Sequence, residues 1–199
     1  MDDNKKVYDL INGLDVEQNI LFALSCINRI KHLPQLFINT EKYAMEYLDK
    51  IIPKEIIEST LTEIIDKVHF NKIQSTEIDK TIELLEELLL DDDIESCVLK
   101  QLFSYYVLII INILKYIKEN KNEYIELCSD DIREIINQAK SDEYCKKNNK
   151  CTDKELNKHI ELIIDEEVKK EIEIIKIIKD GNKELLNEYI KNNKIEYNI

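Results

Sequence analysis

Glycine and proline are nearly missing from this chain of 199 residues: there are two of each, and no tryptophan. Sheet proteins turn at glycine- and proline-marked corners, whereas helices joined by short polar loops need few of either. The scarcity therefore points away from β architectures. It also removes the glycine-rich loops on which phosphate cradles and nucleophile elbows are built. Positive charge is the next shortage, with 28 Lys and Arg against 41 Asp and Glu, a net charge of −13. That field repels phosphate backbones and anionic membrane surfaces and draws in basic proteins, so neither nucleic acid nor a membrane is an expected partner. The densest basic stretch, "CKKNNKC", is too small to form a nucleic-acid footprint.

The opening residues, "MDDNKKVYDLINGLD", lack a basic start followed by an apolar run, so no secretory signal is expected. Five cysteines (Cys26, Cys97, Cys128, Cys145 and Cys151) form an odd set without framework spacing. Free thiols in a reducing, cytoplasmic compartment are the expectation.

What remains is helical periodicity. Asp15 is a natural N-cap for "DVEQNILFALSCINRIKH", where Ile20, Phe22, Ala23, Cys26, Ile27 and Ile30 make one apolar stripe that Pro34 ends. Further helices are predicted over Thr40–Ile51, from Pro53 through Val68, and over Ser75–Leu90. The most apolar segment, Ser96–Ile117, has only fourteen residues between Lys100 and Lys115. A membrane span needs about 20, so this segment is expected to be the buried centre of a bundle. A sixth helix, Glu123–Lys140, has a candidate break at "CSDD", where Ser129 could cap a new turn, and "SDEYCKKNNKC" reads as a mobile connection. Thr152 and Glu155 have capping-box spacing for a long helix to Lys179, closed by Gly181 and followed by a short last helix. The expected fold is all-α, with residues 1–199 forming a single domain. It is a compact bundle of about seven to eight helices around a buried central one.

Chemistry is hard to find in this pattern. His32, His69 and His159 are scattered, and the paired Glu-x-x-His copies of a di-iron site are missing. Glu155 and His159 share a helix face, and an exposed position is expected for His159. "DDDIES" starts like a calcium loop, yet Ser96 and Leu102 stand where glycine and glutamate are needed. Cys145 and Cys151 lack the second pair that a zinc site uses. No metal or other cofactor is expected, and no catalytic residue is assigned. An enzyme would need Cys26 or Cys97 to meet a histidine and a carboxylate in one pocket.

Three stretches carry a resemblance. In "NRIKHLPQLF", Arg29 is followed by a proline-bearing loop and Phe37; "LLEELLLDDDIESC" runs through an acidic turn containing Asp92, Asp93, Glu95 and Ser96; and "VKKEIEIIKIIKDG" and "KELLNEYIKNN" lead to Asn198 and Ile199. In these the chain resembles the YjaG-type family of bacterial domains of unknown function, which are compact all-α proteins. It departs from that family in having His32 at the family's proline position, Pro34 two residues later, and none of its tryptophans. Relatives of that family occur beside bacterial polymorphic toxins as presumed immunity proteins. The resemblance implies a non-enzymatic protein that binds and blocks a cognate, basic toxin domain.

Acidic faces would steer such a toxin into contact. The expected interface is the acidic turn Asp91, Asp92, Asp93 and Glu95 together with the long-helix cluster Asp165, Glu166 and Glu167. Arg29, Pro34 and Phe37 are assigned to a structural corner, with Arg29 tying the loop to an acidic neighbour. The alternative is a helical scaffold or adaptor, which an exposed apolar groove would favour. A homo-oligomer is compatible with either.

Overall fold

The computed structural model describes residues 2–41, 45, 48, 50–89, 98–148 and 152–197, and among these there are helices and no strand. The chain is all-α. In order the helices are α1 (Asp2–Ile11), α2 (Val16–Ile30), α3 (Leu33–Thr40), α4 (Lys54–His69), α5 (Ser75–Glu87), α6 (Val98–Glu119), α7 (Glu123–Lys147), α8 (Asp153–Lys179) and α9 (Lys183–Asn192).

Local chemistry explains most of the boundaries. Asp15 accepts from the Gln18 amide while the Gln18 side chain bonds back, which closes a capping box at the start of α2. Thr152 and Glu155 do the same for α8. Gly181 takes φ +70°, a left-handed conformation that glycine adopts without penalty, and so ends α8.

Elsewhere the fold departs from the sequence expectation. α1 was not anticipated, and Val7 and Ile11 on it are fully buried. α2 stops at Ile30, and Pro34 sits in the first turn of α3, where its missing N–H costs nothing. Of the Thr40–Ile51 helix, residues 42–44, 46, 47 and 49 lie outside the described set; Met45 and Leu48 are buried. α7 runs unbroken past "CSDD" and through most of the stretch read as a mobile connection. Ser129 is fully buried and donates to Glu171 of α8 instead of capping a new turn.

α6 lies at the centre. It packs along α7 and also meets α2, α3 and α5, while α8 covers α7, α1 and α2. The buried apolar side chains form one contiguous core. Phe37 of α3 stacks on Phe103 of α6, with ring centroids 4.4 Å apart and planes 11° from parallel. α6 runs beyond both lysines that bracket the fourteen-residue apolar run, and Lys100 itself is buried. By length and composition it could cross a membrane, and 67% of its most apolar window is buried inside the protein.

Candidate functional site

Two arginines and two glutamates meet in the interior where α2, α7 and α8 converge. Arg29 of α2 has no exposed surface, and its two terminal nitrogens donate to the two carboxylate oxygens of Glu167, itself 1% exposed. Its Nε donates to the carbonyl of Asn193 at 2.9 Å, and its own carbonyl accepts from the Ile195 amide at 3.0 Å. The segment after α9 is thereby held across the end of α2. Burial disfavours the charge on Arg29, but the hydrogen-bonded carboxylate outweighs it and holds the guanidinium pKa above its ordinary value.

One helical turn further along α8, Glu171 faces Arg133 of α7. Arg133 Nε donates to Glu171 Oε1 at 3.2 Å, and Ser129 Oγ donates to Oε2 at 2.7 Å. Arg133 also donates to Ser129 Oγ at 2.6 Å, and its guanidinium lies over the Tyr8 ring, 5.9 Å from the centroid. Tyr8 donates to Asp130, which stands 3.5 Å from the remaining Arg133 nitrogen. Burial pushes the Glu171 carboxyl up to about 7 against the pull of Arg133. The two arginine–glutamate pairs make the cluster a polar joint between helices. Ser129 is part of it, and the buried thiol of Cys26 lies close enough to feel all four charged groups.

This placement corrects one interface assignment. Asp165 and Glu166 are exposed as an interface requires, but Glu167 is turned inward onto Arg29. Asp91, Asp92, Asp93 and Glu95 lie outside the described residues. Arg29, Pro34 and Phe37 are all buried. The acidic neighbour of Arg29 is thus Glu167, from the far end of the chain.

Cys128 lies close enough to Cys26 for the two thiols to feel each other's charge. Cys26 and Cys128 are buried, and burial holds both thiols well above their usual range, in the protonated form that is a poor nucleophile. Cys145 is exposed; Cys97 and Cys151 lie outside the described residues. His159 is half-buried and stacks on Tyr144 at 4.5 Å, so it is not the freely exposed residue expected. Among the described residues no three of His, Cys, Asp and Glu gather as metal ligands.

The surface holds two features that the sequence reading did not single out. Residues 54–89 carry nine carboxylates, from Glu55 to Glu87, against four lysines, and all nine carboxylates are exposed. Between α4 and α5 lies an open groove of about 280 Å³ floored by Ile64, Ile73 and Leu84, with Lys67, Glu77 and Lys80 at its sides. Phe70, at the turn between these helices, is 60% exposed.

Asp131 of α7 is a second carboxyl raised by burial. It accepts from Asn112 Nδ2 at 2.9 Å, and burial pushes it up to about 7, with nearby Asp130 adding to the rise. Its unfolded value is ~4. The raised folded pKa means that its stabilising contribution is complete below the unfolded value and is lost as pH rises through about 7. The wild type should therefore gain stability between pH 8 and pH 5, as measured by urea midpoints. Asp131→Asn should remove ~1–2 kcal/mol of that change, the shift being discounted for partial exposure. An unchanged pH slope in the variant would show that Asp131 is not the source.

No family model, curated protein or solved structure matches the chain.

Proposed function

We propose that this protein is an immunity-type binder that captures and blocks a basic protein toxin domain in the cytoplasm. The observation that carries the reading is the exposed acidic surface of α4 and α5, with nine carboxylates against four lysines in residues 54–89. Asp79 and Glu86 spend their charge on Lys118 and Lys115 of α6, and Glu63 pairs with Lys67. Glu55, Glu58, Asp66, Glu77, Glu83 and Glu87 keep a net negative field facing solvent. Exposed ion pairs are worth little to a monomer, so such a field acts mainly on approaching partners. Asp165 and Glu166 extend the acidic surface onto α8.

The expected result is recovery of a basic toxin domain with the tagged protein from its native host. The association rate should fall steeply between about 50 and 500 mM salt as the field is screened. Glu77→Lys with Glu83→Lys should slow association about 10-fold or more with little effect on dissociation. If no basic domain is recovered, or if these reversals leave association unchanged, the reading fails.

The groove floored by Ile64, Ile73 and Leu84, with Phe70 exposed at the turn, favours a second reading as a helical scaffold or adaptor. Capture of an acidic or neutral helical segment, insensitive to salt, would select it over the first.

A further inference from the structure

The two helices that carry the acidic face stand on different supports. α4 packs on α2 and α3, whereas α5 packs on α6. Residues 70–74 join them, and the groove of about 280 Å³ lies between them. Its apolar floor of Ile64, Ile73 and Leu84 continues into exposed side chains at both ends. Phe70 stands at the turn, and Ile56, 46% exposed, stands near the start of α4. Ile56 precedes Lys67, a residue of the groove wall, by about three turns, so the two face the same side of α4. From Ile56 to Phe70 the apolar line is about 20 Å long, at about 1.5 Å per residue.

Charge is arranged on this same side of both helices. Around α4, Glu63 lies within about 40° of Lys67; around α5, Glu77, Lys80 and Glu87 lie within about 60° of Leu84. Lys67 is held by Glu63 at 3.0 Å. Glu77 and Glu87 then stand against Lys80, and the wider face sets nine carboxylates against four lysines. An apolar centre within an acidic rim has a definite complement, an apolar ridge with basic flanks. A groove of this length between two helices fits one further helix of about four turns.

We infer that the groove between α4 and α5 seats one amphipathic helix of a basic protein partner. The apolar side of that helix lies on Ile64, Ile73, Leu84 and Phe70, and its Lys or Arg residues face Glu77 and Glu87. The inference rests on the reading of this face as the toxin-binding surface, and it names the element of the toxin that makes contact. Lys80 is the one ill-matched group, an exposed cation in a rim that receives cations. Exchanging it for an acid should tighten the complex, whereas an acidic occupant would be repelled by the same change.

Fluorescein-labelled peptides of about four turns, titrated with the full chain in about 150 mM salt, test it by anisotropy. One peptide carries a leucine stripe flanked by lysines; a second flanks the same stripe with glutamates; a third keeps the lysines and replaces the leucines by serines. The first should bind at least about 10-fold more tightly than either of the others. Phe70→Ser with Leu84→Ser changes no charge, at one exposed and one half-buried position, and should weaken that binding about 10-fold. Lys80→Glu should strengthen it about threefold. Equal binding of the lysine peptides with and without leucine, or a serine double variant that binds like the wild type, would mean contact with the acidic surface alone and overturn the groove. Preference for the glutamate-flanked peptide would overturn it too, and none of these results bears on recovery of a basic toxin from the host. Seating of the lysine-flanked peptide where no toxin domain is recovered would uphold the groove and defeat the toxin reading.

Discussion

Replacing Arg29 by alanine should cost about 3–5 kcal/mol of folding free energy, the range for breaking a buried ion pair by deleting one partner. Arg29 is fully enclosed, and three of its nitrogens are spent, two on Glu167 and one on the Asn193 carbonyl. Alanine leaves Glu167 as a buried carboxylate whose remaining cation, Lys170, is 3.9 Å away. It also frees the segment after α9 from one of its two bonds to Arg29. For a chain of this length the melting temperature should fall by about 10 °C. Arg29→Met with Glu167→Leu should recover most of the loss, because apolar pairs of similar volume can replace buried ion pairs without penalty. Arg29→Lys should recover little, since an ammonium cannot reach both carboxylate oxygens and Asn193 together. Denaturant midpoints for these variants measure the coupling directly. Partner affinity, measured well below the melting point, should be nearly unchanged in Arg29→Ala. A variant that stays stable and loses binding would move Arg29 from the structural corner to the interface.

The joint was partly legible in the sequence. Arg29 stands three residues after Cys26 and seven after Phe22, on the apolar side of α2, and a cation at such a position needs a buried partner. Glu167 and Glu171 recur at helical spacing with Ile160, Ile163 and Ile174, a sign that they belong to the inner seam of α8. The run of three acids at Asp165, Glu166 and Glu167 hid this, because adjacent residues of one type point to different sides of a helix. Which arginine meets which glutamate was not legible, since the partners are 138 and 38 residues apart. The supposed break at Ser129 failed for the same reason. A serine followed by two aspartates reads locally as a cap, but its hydroxyl is bound to Glu171 from another helix. Capping boxes and Gly181 could be read from sequence because their chemistry closes within four residues.

The corner formed by "HLPQLF" should behave as core and not as a recognition loop, and Phe37→Ala is the sharpest test. Phe37 is fully buried, and its ring lies parallel to Phe103 on the central helix. Truncation to alanine removes the transfer energy of a whole ring and leaves a cavity against α6, for a cost of about 3–5 kcal/mol. Phe37→Leu keeps much of the volume and should cost about 1 kcal/mol. Pairing Phe37→Leu with Phe103→Leu isolates the ring–ring contact, which should couple the two positions by about 0.5–1.5 kcal/mol in a double-mutant cycle. Additive losses would mean that the rings touch without specific stacking. The helix that carries Phe37, α3, packs on both α6 and α4, and α4 supplies about half of the acidic face. If the proposed toxin binding holds, loss of association by Phe37→Ala at temperatures where the chain remains folded would report that the cavity shifts α3 and with it α4. An unchanged association rate would show that α4 keeps its place without the ring.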